Sequence, residues 1–295
     1  GFVVKNVKVN RYQNFDNKII LSTLVRNEDS YIKQWIEYHL MLGVDAFVIY
    51  DNSGYTGSEP KLSVETSTNL TELLKDYIAD GVVELIDWPY IYRRKHTDKK
   101  EHNSAQTTQQ NHSINAFSNS KLVGCMDIDE YVNLSNSNWI DLNEFFSDYV
   151  SKNKLIWNNI SGFILRSKSF INKKRQNDEN YEFMKIYDCS KILDARRRKT
   201  FVLPRNVKMF ATHDVIHPID RTKKRSILSG DIIYFNHYMS INKKNFGLRG
   251  RHLHKWDQPI GEGRPIIKIE HVAGKKYTMP PDPFAWANSD EFWNT

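Results

Sequence analysis

Short apolar runs alternate with amphipathic segments along the first half of the chain. Ile19-Ile20-Leu21-Ser22-Thr23-Leu24-Val25 is uncharged and rich in β-branched residues, the pattern of a buried strand. It stops at Arg26-Asn27-Glu28-Asp29, where Asn27 or Asp29 can cap a helix. Ile32, Trp35, Ile36, His39 and Leu40 then recur at helical spacing and predict one apolar helix face, closed at Gly43. Residues 46–50 predict a second strand, followed by the turn cluster Asp51-Asn52-Ser53-Gly54. A helix over 70–79, stopped by Asp80-Gly81, leads to a third strand over 82–86. A polar helix over 105–118 leads to a fourth strand over 122–126.

This strand–helix–strand order predicts an α/β fold: a mostly parallel central sheet flanked by helices. Ligands of such sheets sit beyond the carboxyl ends of the strands. Three polar clusters fall there: residues 26–29, 51–54 and 127–130. The second half is less regular, with strand patterns at 161–165 and 231–235 and basic runs at 196–199 and 221–225 between them. With no internal repeat or low-complexity linker, a single domain is expected. It divides into an N-terminal extension (1–18), a first half (19–135), a second half (136–277) and a C-terminal tail (278–295). The tail, rich in Pro and Trp, is expected to pack as an irregular strap.

Composition narrows the class. Hydrophobic residues are 40% and aromatics 13%, which supports a packed core and excludes a disordered or fibrous chain. Lys and Arg number 42 against 35 Asp and Glu, a formal charge of +7, which suggests an anionic partner. Two cysteines, Cys125 and Cys189, cannot form a disulfide framework or a cysteine zinc site, and reduced thiols are expected. No stretch is apolar enough over the roughly 18–20 residues of a membrane span. A cytoplasmic location, at most peripheral to a membrane, is the expectation.

The sharpest chemical signal is Asp127-Ile128-Asp129-Glu130-Tyr131, directly after a buried run. Two carboxylates two residues apart at a strand end can reach one divalent cation, directly or through water. Hard oxygen ligands suit Mg²⁺ or Mn²⁺, which commonly share coordination with substrate phosphates. The plain alternative is a charged loop. Asp51 can accept hydrogen bonds from a base or ribose, or can serve only its turn.

Several motifs in consistent order resemble glycosyltransferase family 92 and related family-2-like enzymes. They are Leu24-Val25-Arg26-Asn27-Glu28, Trp35-Ile36-Glu37-Tyr38-His39, Leu42-Gly43-Val44-Asp45 and Ile49-Tyr50-Asp51-Asn52-Ser53. Gln106 and Asn111, upstream of the acidic motif, continue the likeness, as does Lys199-Thr200-Phe201-Val202-Leu203-Pro204 with His213 beyond it. Asn236-His237-Tyr238-Met239-Ser240, with Phe246 and Arg249-Gly250, resembles the closing motif. The likeness implies a GT-A-like (Rossmann-like) fold, a nucleotide-sugar donor, a Mn²⁺ or Mg²⁺ ion and inversion at the anomeric carbon. By position it implies donor contacts from Thr23, Val25, Arg26, Glu28, Asp51, Gln106, Asn111, Asp127, Lys199 and Arg249. It also implies metal ligation by Asp127 and Asp129, with Asp129 the favoured direct ligand, and makes His237 a third metal ligand or a diphosphate contact. A satisfied core histidine and a solvated surface charge are the plain readings of His237 and Arg249. Arg166-Ser167-Lys168-Ser169-Phe170 lacks the glycine expected in the acceptor-facing segment, so the acceptor does not carry over.

The expected function is therefore metal-dependent, inverting transfer from a nucleotide sugar, UDP- or GDP-linked, to a glycan or lipid-linked hydroxyl acceptor, which an anionic group would suit. Such a reaction needs a general base, and Asp214 beside His213 is the first choice, with Asp178, Glu179 and Glu182 as rivals. Two other functions compete: donor binding or hydrolysis without transfer, and nucleic-acid binding through basic runs with aromatics such as Tyr90-Ile91-Tyr92-Arg93-Arg94-Lys95. The latter lacks a recognisable nucleic-acid module, so no nucleic-acid partner is expected.

Overall fold

The structure, a computed structural model, describes residues 13–26, 32–53, 69–92, 94–95, 101–102, 104–135, 139–170, 188–190, 194–211, 213–238 and 260–262. The expected strap at 278–295 lies outside the described residues, as do Glu28, Asp178, Glu179, Glu182 and Arg249. The first half runs β1 (Ile19–Val25), α1 (Ile32–Met41), β2 (Ala46–Asp51), α2 (Leu70–Leu73), α3 (Lys75–Ala79) and β3 (Val83–Asp87). Two short strands, β4 (Arg94–Lys95) and β5 (Glu101–His102), pair with each other before α4 (Ser104–Ala116) and β6 (Leu122–Cys125). The second half holds β7 (Glu130–Leu134), α5 (Leu142–Lys152), β8 (Ile160–Phe170), β9 (Asp188–Ser190) and β10 (Asp194–Val202). It continues with β11 (Val207–Ala211), β12 (Asp214–Pro218), β13 (Lys224–Ile227), β14 (Ile233–Tyr238) and β15 (Ile260–Glu262).

Strands β6, β1, β2 and β3 pair side by side and all parallel, as the strand–helix alternation requires. The apolar runs are buried on both faces: every residue of β1 except Leu24 is enclosed. Two cores result, because alternate residues of a strand point to opposite faces. Ile19, Leu21 and Val25 join α1 and α5 on one face, while Ile20 joins Ala46, Val48 and α4 on the other. Gly124 sits where β6 must pass close to its neighbours, since a Cβ there would come within 2.6 Å of Leu21 and 2.7 Å of Phe201. Gly43 ends α1 with φ of +85°, a left-handed conformation that suits glycine.

One expected element is corrected and others are refined. The helix over 70–79 is two short helices that meet at Leu74. Leu40 packs against the core as expected, and Glu37 is buried as well, because the Tyr77 hydroxyl donates to it. The basic run 196–199 forms part of β10, which pairs antiparallel with both β6 and β8. The central sheet thus continues across both halves of the chain as a large, curled, mixed sheet, consistent with a GT-A-like fold. The run 221–225 leads into β13, which pairs with β8 from Lys224 opposite Ile160 to Ile227 opposite Ile164. It lies along the opposite end of β8 from the segment that meets β14 at Ser167 to Phe170.

Candidate active site

The strand order places β1 between β2 on one side and β6 on the other, with the chain departing in opposite directions. Such a switch point opens a crevice at the strands' carboxyl ends. Asp127, Asp129 and Glu130 follow β6 at that end. What the sequence left hidden is that the chain turns back at once into β7, which pairs antiparallel with β14. In this register Glu130 faces His237, and the Tyr238 amide donates to the Asp129 carbonyl at 2.8 Å. Glu130 and His237 form a non-hydrogen-bonded pair, the geometry that brings opposed side chains closest.

Asp129, Glu130 and His237 each offer a ligand atom, and those atoms lie within 4.8 Å of one another. His237 Nε2 is 3.6 Å from Asp129 Oδ2, and its Nδ1 is 3.9 Å from Glu130 Oε1. Buried Nδ1 has no hydrogen bond, a costly arrangement unless something occupies the space beside it. Two carboxylates and an imidazole are a donor set that fits a divalent cation.

The other oxygen of Glu130 is engaged. Glu130 Oε2 accepts from the Asp127 amide at 2.9 Å and pairs with Lys199 Nζ at 2.8 Å. Lys199 also donates to Asp127 Oδ2 at 2.9 Å, while Gln106 Nε2 donates to Asp127 Oδ1 at 2.9 Å. Asp127 is thus held by Lys199 and Gln106, and the acids grouped with His237 are Asp129 and Glu130. The acidic run was the signal, but choosing Glu130 required the pairing with β14. Burial pushes the Glu130 carboxyl up, to about 7, against the pull of Lys199. Burial also works against the Lys199 ammonium, but Asp127 and Glu130 outweigh it and hold the charge firmly in place. With all acids ionised, three carboxylates and one ammonium leave two negative charges, the complement of one divalent ion.

The remaining expected residues divide. Thr23 and Val25 are buried at the end of β1, and the Thr23 hydroxyl has no hydrogen bond. The Arg26 guanidinium lies over the Tyr92 ring, 5.1 Å from its centre. Asp51 ends β2 and accepts from the Ser53 amide at 2.8 Å, so the turn reading of that cluster holds at least for one oxygen. Asn111 is drawn elsewhere: its side-chain amide donates to the Phe210 carbonyl at 2.7 Å and accepts from the Phe210 amide at 3.0 Å. It fastens α4 to β11. Asp214 pairs with Arg198 at 2.7 Å and with Arg225. Arg198 precedes Lys199 on β10, and strand alternation turns it to the opposite face.

The family model of glycosyltransferase family 92 matches residues 21–272. The chain belongs to that family. Membership makes it a glycosyltransferase, a class that moves sugar from a nucleotide-sugar donor to a glycan acceptor. No curated protein matches the chain. Among the described residues no helix is long and apolar enough to cross a membrane.

Proposed function

We propose that this family 92 protein is a metal-dependent inverting glycosyltransferase that uses a UDP- or GDP-sugar. The observation that carries the reading is the buried group of Asp129, Glu130 and His237 at the switch point of the sheet. These three would hold the ion. The imidazole favours Mn²⁺ over Mg²⁺, which prefers oxygen donors alone. When bound, such an ion neutralises a leaving diphosphate. Thr23, Val25, Arg26 and Asp51 would line the nucleoside side of the crevice, and Arg249 would meet the diphosphate. Residues 19–135 would form the donor half and 136–277 the acceptor half.

The chain's own residues would prepare the site. Lys199 and the Asp127 amide hold Glu130 Oε2, leaving Oε1 turned toward His237. Gln106 and Lys199 fix the Asp127 carboxylate, whose side chain is 40% exposed and open to a donor. Asp214 Oδ2 is taken by two arginines and Oδ1 accepts from the Val215 amide, so its pairing favours a structural role. A peripheral location in the cytoplasm and a lipid-linked acceptor are part of the same reading.

Thermal-shift measurement against UDP- and GDP-sugars with Mn²⁺ tests the proposal, since a ligand bound only by the folded state raises Tm. A donor-specific rise that EDTA removes is expected. No response to any donor would overturn it. Product analysis with and without acceptor separates transfer from donor hydrolysis.

A further inference from the structure

Strand β7 carries Glu130, and among the described residues it has one strand neighbour, β14. Its backbone hydrogen bonds to β14 end at Asp129, whose carbonyl accepts from Tyr238, and at Ser135, whose amide donates to Ile232, both at 2.8 Å. Alternation along an antiparallel strand then turns the backbone groups of Glu130 and Val132 to the other edge. Buried groups there need partners, because an orphaned amide or carbonyl is costly.

Helix α1 supplies them. Trp35 Nε1 donates to the Glu130 carbonyl at 2.9 Å, and the Tyr38 hydroxyl donates to the Val132 carbonyl at 2.7 Å. The Val132 amide donates to His39 Nε2 at 3.2 Å. His39 Nδ1 is 2.8 Å from the Trp35 carbonyl, so the ring donates at Nδ1 and accepts at Nε2. Trp35 and His39 are fully enclosed, and the Tyr131 ring stacks on His39 at 5.7 Å. Residues i, i+3 and i+4 of one helix face thus serve this edge of β7 as a neighbour strand would.

We propose that Trp35, Tyr38 and His39 are positioning residues for the ion-binding group, and that α1 sets the backbone of β7 from which Glu130 projects. This rests on the reading of Asp129, Glu130 and His237 as an ion site. A carbonyl held by an indole cannot twist freely, so Glu130 and the preceding Asp129 keep the register that faces His237. Residues beside a metal site that orient its ligands typically change metal affinity 10–100-fold when altered.

The test separates positioning from plain stability. Trp35→Phe keeps a ring but removes the donor, and Tyr38→Phe removes only the hydroxyl. Tyr77→Phe is the control: it removes a buried hydroxyl that donates to Glu37 of the same helix, on the side away from β7. Mn²⁺ is titrated by electron paramagnetic resonance into each full chain, alone and with UDP or GDP, and Tm is recorded alongside. The expected result is about tenfold weaker Mn²⁺ binding by Trp35→Phe and Tyr38→Phe, with Tyr77→Phe losing Tm but not affinity. Wild-type affinity in both β7-side variants, with Tm lowered as in Tyr77→Phe, would overturn the inference while leaving the ion site standing. Wild type that takes up no Mn²⁺ under either condition would overturn the ion site and this inference together.

Discussion

The Lys199 ammonium sits 2.8 Å from the Glu130 carboxylate, with both side chains 3% exposed. A buried ion pair contributes little beyond what its burial costs, but removing one partner strands the other charge. Lys199→Met is therefore expected to destabilise the fold by about 3 kcal/mol or more. Urea denaturation measures it. Mn²⁺ should recover part of the loss, because the ion would take over as counter-charge for Glu130.

Asp129→Ala is expected to abolish transfer while the chain stays folded, since the residue sits at the turn into β7 and its backbone bond to Tyr238 survives. Glu130→Gln should also lose transfer, with Mn²⁺ affinity reduced, because an amide is a poorer ligand than a carboxylate. Steady-state rates and circular dichroism on the two variants check this. Wild-type turnover by either, with Mn²⁺ present, would contradict the assignment.

His39 predicts a pH effect on stability. Burial pushes its folded value down, to about 3, from an ordinary value near 6.5. Between these two values the unfolded chain binds more protons than the folded one. The His39 contribution is therefore complete above about pH 6.5 and is lost as pH falls toward 3, with a limiting slope of about 1.4 kcal/mol per pH unit. Glu130, raised by burial, acts with the opposite sign between its ordinary range and about 7. Subtracting the pH profile of His39→Asn from that of wild type isolates the histidine: denaturation midpoints of the variant should fall less between pH 7 and 5.

Asp214 distinguishes base from anchor. Arg198 and Arg225 are 40% and 44% exposed, so water screens both pairs. Asp214→Asn should cost no more than about 1 kcal/mol of stability and leave most of the turnover rate. A loss of several orders of magnitude in kcat at unchanged Tm would make Asp214 the base after all.

The acidic motif, Gln106, Lys199 and His237 could each be named as candidates from the chain alone, yet their arrangement could not. Lys199 meets Asp127 across 72 positions, and Trp35 meets Glu130 across 95. Asn111 shows the converse. It stands in a motif with Gln106 on the same helix, but roughly one and a half turns of α4 aim it at β11 and not at Asp127.

Local pattern determined β1, α1, β2, β3, α4 and β6, because buried strands and amphipathic helices write periods of 2 and 3.6 into their own residues. It also pointed to the end of the sheet where the candidate site lies, since polar clusters at the carboxyl ends of parallel strands follow from the order of elements. Only the tertiary structure decided that β7 is a strand, that Glu130 lies opposite His237, and that Trp35, Tyr38 and His39 bond to β7. The reason is physical: pairing register and side-chain-to-backbone bonds join residues remote in the chain, and no local period records which distant group satisfies a given donor.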